Sequence, residues 1–349
     1  MSKNKAKILG VTVLSSAVLL SGCGLFGGET QKKIDPPKSV TVTNNKANKD
    51  TTAKEKGKVE NGVKTELYLI DKDGYVVPQT LNLPKTTSVA TQALQYLVAN
   101  GPVTSMLPND FRAVLPADTT LSVNIDKDSG VASVNFSKEF KDYKPEDEMK
   151  ILQSVTWTLT QFDNVKSVKL KMNGHDLTEM PVNGTPISEN LSRATGINID
   201  TNDVVDITNT KPVTVYYIGG EEGSYYYVPV TRRVSNNEKD NYAAVVNELI
   251  KGPSGKSTLV SEFVSDAKLL EAPKYQDGTV TLNFNKNIYD SKKEISQSLL
   301  DALVLSLTEQ QGVEKVAVQV DGKAEIKNDK GKKLSEPVTR PEKVNTGSF

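Results

Sequence analysis

VKSVKLKMNG at residues 165–174 and VEKVAVQVDG at residues 313–322 are two versions of one pattern, 148 positions apart. Apolar and polar residues alternate in each copy, which predicts a half-buried β-strand. Each copy ends in Asn-Gly or Asp-Gly, the strongest short signal for a hairpin, because a type I′ turn requires positive φ. A repeat of this length indicates two copies of one domain rather than a solenoid, whose units span about 20–50 residues.

The segments around this pattern repeat in the same order. Two strands open each copy, and an amphipathic helix then runs to a Gly-Pro pair, where glycine suits the left-handed residue past a helix and proline cannot continue it. A two-strand hairpin and a second helix precede the strand quoted above. In the two copies these segments lie at 65–70 and 213–218, 75–83 and 224–230, 89–98 and 242–250, 121–125 and 268–272, 131–136 and 279–284, and 152–162 and 300–307.

This order of elements predicts an α+β fold with two tandem copies of a small strand-helix-strand-strand-helix-strand domain. We expect the helices of each copy on one face of a mostly antiparallel sheet. The domains are predicted at 64–186 and 211–341, each long enough for its own core. A polar linker at 187–210 joins them, and a short tail follows at 342–349.

The composition limits what the protein does. Lys plus Arg and Asp plus Glu each number 43 in 349 residues, so the formal net charge is zero, which argues against nucleic acid as a partner. The chain has one His and one Cys, so a metal site built from several such ligands cannot form within one chain. An intramolecular disulfide is excluded for the same reason. The two copies share no cluster of reactive side chains, so we predict a protein that is not an enzyme and needs no cofactor.

The N-terminal stretch has the pattern of a bacterial secretion signal. Three lysines precede a mostly apolar run at residues 8–20, which is too short for an ordinary membrane-spanning helix. The run ends in Leu20, Ser21 and Gly22, followed by Cys23, which resembles a lipobox. In such signals the cysteine sulfur receives a diacylglycerol and the chain is cut before it. Cys23 is therefore the predicted lipidation site.

The lipobox predicts where the rest of the chain works. We expect a signal peptide at 1–22 and a disordered, lipidated tether at 23–63, which is rich in Lys, Thr, Asn and Gly. Its lysines either graze anionic lipid headgroups or are merely solvated. Two buried acyl chains hold a protein stably on a bilayer. The predicted location is the outer face of the cytoplasmic membrane.

The motifs in this order resemble the GerM family of sporulation and germination lipoproteins, which have tandem GerMN domains. Behind the lipobox, both copies contain a [L/V]-Y strand, a helix followed by Gly-Pro, an apolar-x-apolar-x-Phe strand and V-x-x-V-x-[L/V]-x-[M/V]-[N/D]-G. The resemblance covers essentially the whole mature chain. It implies domains similar to the ring-building α/β modules of secretion systems.

The same resemblance implies a non-enzymatic role in the space between mother-cell and forespore membranes. The implied partners are the membrane, through the lipid anchor, and the envelope proteins of the channel that joins the two cells; self-association is a further option. The family has no catalytic motif to transfer to this sequence.

Trp157 and Leu305 are the candidate contact residues. They occupy equivalent positions in the second helix of each copy, almost opposite the apolar stripe that includes Leu152 and Leu300. An apolar residue on the outer face of both helices suggests a surface that contacts the other domain or a partner. The alternative is an ordinary, singly exposed apolar side chain.

Four short patterns suggest other chemistry but fit it poorly. Residues 255–257 (GKS) resemble the end of a phosphate-binding loop but lack its first glycine and follow a helix. Residues 126–130 and 71–74 have some of the acids of a calcium loop without the distal Glu, so plain turns are favoured. His175 follows the Asn-Gly turn, and its counterpart is a lysine, so a surface turn residue is expected.

A second function of a different class stays open. The chain would then be a cell-wall-binding or small-ligand-binding lipoprotein, with a site between the two domains. Tyr225 and Tyr227 alternate in a predicted strand and would share one face, where they could stack on a ligand. Packing within the sheet is the favoured role for these rings.

Overall fold

Strands and helices recur in the same order in the two repeats. The computed structural model describes residues 62–202, 204 and 206–346. The first repeat contains β1 (Val63–Asp71), β2 (Val76–Leu83), α1 (Val89–Gln95), β3 (Phe111–Arg112), β4 (Leu121–Ile125), β5 (Val131–Phe136), α2 (Glu148–Leu159), β6 (Ser167–Met172) and β7 (His175–Asp176). The second repeat contains β8 (Thr210–Gly219), β9 (Tyr226–Ser235), α3 (Asn241–Lys251), β10 (Lys274–Gln276), β11 (Thr279–Phe284), α4 (Gln297–Leu307), β12 (Lys315–Val320) and β13 (Val338–Thr339).

The strands of each repeat form two sheets, not the one sheet expected. Their orders are β2-β1-β3 and β4-β5-β6-β7 in the first repeat, and β8-β9 and β10-β11-β12-β13 in the second. The β5–β6 and β11–β12 pairs are parallel, because a strand–helix–strand crossover returns the chain in the same direction. The other strand pairs are antiparallel. The α+β class and the antiparallel-rich pairing are confirmed.

The second helix of each repeat lies between its two sheets. α2 contacts β1 on one side and β6 on the other, and α4 contacts β8 and β12 in the same way. This corrects the expectation of helices on one face of a sheet. Since both sides of the helix are covered, its buried positions extend beyond the predicted stripe, and even Ser154 and Thr158 are fully buried.

The Asn-Gly and Asp-Gly turns have the conformation that the sequence predicts. Asn173 and Gly174 have φ of 51° and 84°, and Asp321 and Gly322 have φ of 49° and 73°. In the first repeat the turn connects β6 to β7 as an antiparallel hairpin. The local signal was sufficient here, because only the turn residues themselves have to adopt positive φ.

Two local expectations differ from the structure. Gly252 ends α3 with φ of 79°, as predicted, but α1 stops earlier and Asn100, not Gly101, has positive φ. Glycine is required at 101 for another reason: a Cβ there would lie 2.9 Å from a carbonyl oxygen of the preceding turn. The strand predicted at 268–272 is reduced to one bridge between Leu269 and Phe284.

The hydrophobic core runs through both repeats. One cluster of buried side chains includes residues of all four helices, and the described residues belong to one compact unit. Phe111 of β3 packs edge-on against Tyr226 of β9, with ring centroids 5.0 Å apart. Each repeat therefore depends on the other to bury part of its apolar surface.

Candidate functional site

Trp157 and Leu305 lie inside the chain, at the junction between the repeats. Each is 1% exposed. The Trp157 ring packs against Tyr68 of β1, with centroids 5.7 Å apart, and its Nε1 donates to the carbonyl of Gly196 (3.3 Å). Leu305 packs in a small cluster with Tyr216 of β8. Neither side chain is exposed to a partner: the opening strand of each repeat covers this side of the helix, and Trp157 also contacts the segment that joins the repeats.

Side chains of the second helix also satisfy the backbone of the opening strand. Thr158 Oγ1 accepts the N–H of Tyr68 (3.2 Å), and Ser306 Oγ accepts the N–H of Tyr216 (2.9 Å). These are equivalent bonds in the two repeats. The opening strands β1 and β8 are thus held against their helices.

A cluster of charges joins the two repeats at the end of α4. Glu309 is the centre, with a side chain 6% exposed. Arg193 donates from Nη1 to Glu309 Oε2 (2.6 Å), and Arg340 Nη1 lies 3.1 Å from Oε1. The hydroxyl of Tyr216 donates to the same carboxylate (2.8 Å). Two arginines from distant parts of the chain therefore share one buried acid.

The electrostatics of Glu309 follow from these partners. Burial alone would raise the pKa of the carboxyl group, but Arg193, Arg340 and the hydroxyl of Tyr216 favour the ionised form more strongly. The pKa of Glu309 falls to about 2. The carboxylate is therefore ionised at neutral pH and contributes to holding both arginines in place.

The rings beside the cluster orient the arginines. The guanidinium of Arg193 lies over Trp157, 4.4 Å from the ring centroid, and that of Arg340 lies 5.6 Å from the centroid of Tyr216. Such cation–π contacts contribute about 0.5–2 kcal/mol each, depending on desolvation. Trp157, the candidate contact residue of the sequence, thus packs within the protein against the guanidinium of Arg193.

A cleft of about 450 Å³ opens beside this cluster, between the two repeats. Lys64, Glu66 and Asp163 line it from the first repeat, and Glu309 and Glu342 from the second. Lys64 pairs with Glu342 at its rim (2.5 Å). The lining residues include no cysteine or histidine. Chemically, the arrangement suits holding segments together or binding a polar ligand.

Two short segments supply the arginines, and they repeat each other. We name residues 193–198 (RATGIN) the first strap and residues 340–345 (RPEKVN) the second strap. Each has an Arg, three further residues, a buried Ile or Val and an Asn, and the two straps are 147 positions apart. The first strap falls in the predicted linker, and the second crosses the predicted boundary between domain and tail. The repeated R-x-x-x-[I/V]-N pattern is the signal that would have identified them.

The asparagine of the first strap bridges the repeats. Asn198 Oδ1 accepts the N–H of Val76 (2.8 Å) in β2. Its Nδ2 donates to the carbonyl oxygens of Val76 (2.8 Å) and of Pro229 (2.7 Å) in β9. One side chain therefore binds a strand of each repeat.

The asparagine of the second strap makes the equivalent bridge with the repeats exchanged. Asn345 Oδ1 accepts the N–H of Tyr227 (2.8 Å), and Nδ2 donates to the carbonyls of Tyr227 and Pro78 (both 2.8 Å). Asn198 and Asn345 both have positive φ, 44° and 53°. Asparagine tolerates this conformation better than most residues and also supplies an amide that can donate and accept.

The other candidate residues occupy turns, a loop and a short exposed strand. Asp126 Oδ1 accepts the N–H groups of Asp128 (3.1 Å) and Ser129 (2.8 Å), as in a plain Asx turn. His175 is exposed in β7. The loop at 255–257 follows α3, and Ser257 Oγ lies 3.0 Å from the hydroxyl of Tyr75. Within residues 62–346, as far as they are described, no group of His, Cys, Asp and Glu has the geometry of a metal site.

Asp71 belongs to the junction rather than to a calcium loop. Its Oδ1 accepts the N–H groups of Asp73 (3.0 Å) and Tyr75 (2.8 Å), and its Oδ2 accepts the hydroxyl of Tyr226 from the other repeat (2.9 Å). Burial raises the pKa of Asp71. This carboxyl is a second polar link between the repeats.

The tyrosines of the alternative function do not form one patch. Tyr225 precedes β9 and is exposed, whereas Tyr227 lies within β9 and donates its hydroxyl to Asp301 (3.1 Å). Tyr227 packs beside the small cluster that contains Leu305. Tyr227 therefore packs within the protein, the role favoured for these rings, and does not share an open face with Tyr225.

The predicted anchor lies outside the described residues. Leu20, Ser21, Gly22 and Cys23, with the signal peptide at 1–22, fall in that part of the chain. Of the helices that the structure describes, none is long and apolar enough to cross a bilayer.

Comparison with known proteins identifies the class to which this fold belongs. A family model described as "Germane: Sporulation and spore germination" matches residues 66–178 and 214–325, one match for each repeat. The chain belongs to this family, and its general role is in sporulation and spore germination.

A curated relative matches the chain along its whole length. The chain is 55% identical over 367 residues to the spore germination protein GerM of Bacillus subtilis (strain 168), covering 100% of both sequences. It also matches the solved structure of the tandem GerMN domains of that sporulation protein, with a TM-score of 0.79 and 59% identity. That match covers 82% of this chain and 100% of the other. The predicted resemblance and the tandem fold are confirmed.

Proposed function

We propose that this chain is a non-enzymatic, membrane-anchored lipoprotein. It assembles with other envelope proteins between mother cell and forespore and is needed for normal germination. Family membership supports the biological setting, and the lipobox-like end at Cys23 supports the anchor on the outer face of the cytoplasmic membrane. The lipid fixes the position, residues 23–63 provide reach, and the repeats contact the partners.

The interlocked junction is the observation that carries this proposal. The charged groups that converge there, Arg193, Glu309 and Arg340, pair with one another and join distant segments. Polar groups used in this way fix the two repeats in one orientation. A tandem with a fixed orientation suits an adaptor, because it presents its outer surfaces to partners at a constant separation. Self-association would use the same outer surfaces.

The anchor is tested by localisation in sporulating cells. A fluorescent fusion of the full chain is compared with its Cys23→Ala variant, and both are checked for partition into the detergent phase of a membrane extract. We expect the wild-type protein at the engulfing membrane and in the detergent phase. The variant should be dispersed through the cell and absent from the detergent phase. A variant that localises and partitions like wild type would rule out the lipid as part of the mechanism.

Assembly is tested by cross-linking in the same cells, followed by mass spectrometry of the captured proteins. We expect envelope proteins of the two facing membranes, and we expect the fusion to lose its position when these proteins are deleted. An even signal around the cell that ignores such deletions would contradict the assembly role.

A second candidate function rests on the cleft between the repeats. A cell-wall-binding or small-ligand-binding lipoprotein requires a site between the domains, and the cleft lined by Lys64 and Glu342 is in that place. Sedimentation with purified peptidoglycan distinguishes the two functions. Strong retention that is lost in Lys64→Ala would favour this candidate, whereas the adaptor predicts no strong retention.

A further inference from the structure

The outer edge of β2 is closed by both straps. β2 is an edge strand of its sheet, and such edges expose backbone groups that invite pairing with other chains. The N–H of Val76 is bonded to the side chain of Asn198, and that of Thr80 to the carbonyl of Asn345 (2.8 Å). Pro78, between them, has no N–H to expose. This edge therefore offers no free donor at these three positions.

The edge of β9 is closed in the same way. Here the second strap bonds to the position that the first strap occupies on β2, and the first strap to the other. The N–H of Tyr227 is bonded to the side chain of Asn345, and that of Thr231 to the carbonyl of Ile197 (2.8 Å). Pro229 occupies the middle position. Each strap thus protects one amide on each strand, and the four amides form two equivalent pairs.

The two straps are anchored unequally. The first strap is fixed by Trp157 Nε1 on the carbonyl of Gly196, and the N–H of Asn198 donates to Gln153 Oε1 (3.1 Å). Just beyond it, the chain is held by an ion pair between Asp200 and the buried Arg232. These contacts lie mostly in the interior, so the first strap cannot leave without disrupting α2 and β9.

The second strap is held by Arg340 on Glu309 and by Val344, whose carbonyl and N–H both bond to the hydroxyl of Thr80, but the chain around it is more exposed. The chain that leads into it, residues 321–337, is mostly exposed. Within the strap, Glu342 is 62% exposed and pairs with Lys64 at the rim of the cleft. Regions with few buried contacts open locally at lower free energy than the core. The second strap is therefore the easier one to displace.

We propose that the two straps are a double latch, which locks the repeats together by closing the β2 and β9 edges, and that the second strap opens first. When it opens, the amides of Thr80 and Tyr227 become free, while those of Val76 and Thr231 stay protected by the first strap. The partly opened state keeps both repeats folded and in contact through Arg193 and Glu309. This inference does not depend on the lipid anchor or on the envelope partners.

Residue-resolved amide hydrogen exchange of the full-length wild-type protein tests the order of opening. Thr80 and Thr231 are equivalent positions with the same residue, and Val76 and Tyr227 are equivalent positions in the two strands, so strand position is matched in both comparisons. We expect Thr80 and Tyr227 to exchange at least about tenfold faster than Thr231 and Val76. Equal rates at all four amides, or the reverse order, would overturn the proposal.

Matched strap variants test whether each strap acts separately. Asn345→Ala should accelerate exchange at Thr80 and Tyr227 by a further tenfold or more and leave Val76 within about threefold of wild type. Asn198→Ala should accelerate Val76 and Thr231 instead. If either variant accelerates all four amides equally, the straps form one cooperative unit and the latch is wrong. The wild-type measurement still decides the order if a variant fails to fold.

Discussion

Glu309→Gln should lower the free energy of unfolding by about 3 kcal/mol at pH 7 and remove part of the protein's acid sensitivity. The pKa of Glu309 is about 2 in the folded protein, against an ordinary value of 4.5. Because the folded pKa is the lower one, ionisation of Glu309 stabilises the fold fully above pH 4.5, and this contribution is lost as the pH falls towards 2. Each tenfold difference in proton affinity corresponds to about 1.4 kcal/mol. The difference between a pKa of 4.5 and one of about 2 therefore corresponds to about 3 kcal/mol.

The assay is urea unfolding of the full-length chain at steps between about pH 7 and pH 2.5, followed by circular dichroism. Wild type is compared with Glu309→Gln and with Glu336→Gln, which changes an exposed acid. The gap between wild type and Glu309→Gln should narrow from about 3 kcal/mol to less than about 1 kcal/mol as the acid protonates. Glu336→Gln should stay within about 0.5 kcal/mol of wild type. A gap that is constant across the pH range would refute the argument, because Glu309 would then not be held ionised by its arginines.

Three further predictions use single substitutions. Gln79→Val should raise stability by about 1–2 kcal/mol, because both polar side-chain atoms of Gln79 are buried without a hydrogen-bond partner in the described structure. The equivalent residue in the second repeat is Val230. The reverse substitution, Val230→Gln, should lower stability in the same urea titration. Gly220→Ala, at φ of 90° and with a Cβ that would clash with the carbonyl oxygen of Ser224, should reduce the melting temperature clearly more than Gly223→Ala, at φ of 89° in open space. Tyr226→Phe removes a donor to a buried carboxylate and should cost about 1.5–3 kcal/mol by urea unfolding; an unchanged midpoint would show that this link between the repeats is dispensable.

Trp157 illustrates how far a helical pattern can be interpreted without the fold. Its position opposite the apolar stripe predicts a contact face, since a large apolar side chain on that face needs cover. The pattern could not tell that the cover comes from β1 of the same repeat, because two sheets pack on one helix. The same limit explains why a single sheet was expected.

Arg193 and Arg340 show a different limit. Both lie in polar segments without sustained apolar periodicity, which are typical of linkers and tails. Their partner Glu309 is more than a hundred positions from Arg193 and is shared with Arg340. A comparison of these segments with each other would have found the repeated strap pattern, but their contacts depend on how the repeats are joined.

The sequence by itself determined the repeat, most of the strands and helices, the positive-φ turns and the family, because alternation, helical periodicity and Asn-Gly or Asp-Gly chemistry act over a few neighbouring residues. Only the tertiary structure decided that the second helix of each repeat lies between two sheets, that Trp157 and Leu305 are buried, and that the straps at 193–198 and 340–345 bond to both repeats. These features rest on hydrogen bonds and ion pairs between residues as far apart as Pro78 and Asn345, and bonds over such distances leave no local pattern in the chain.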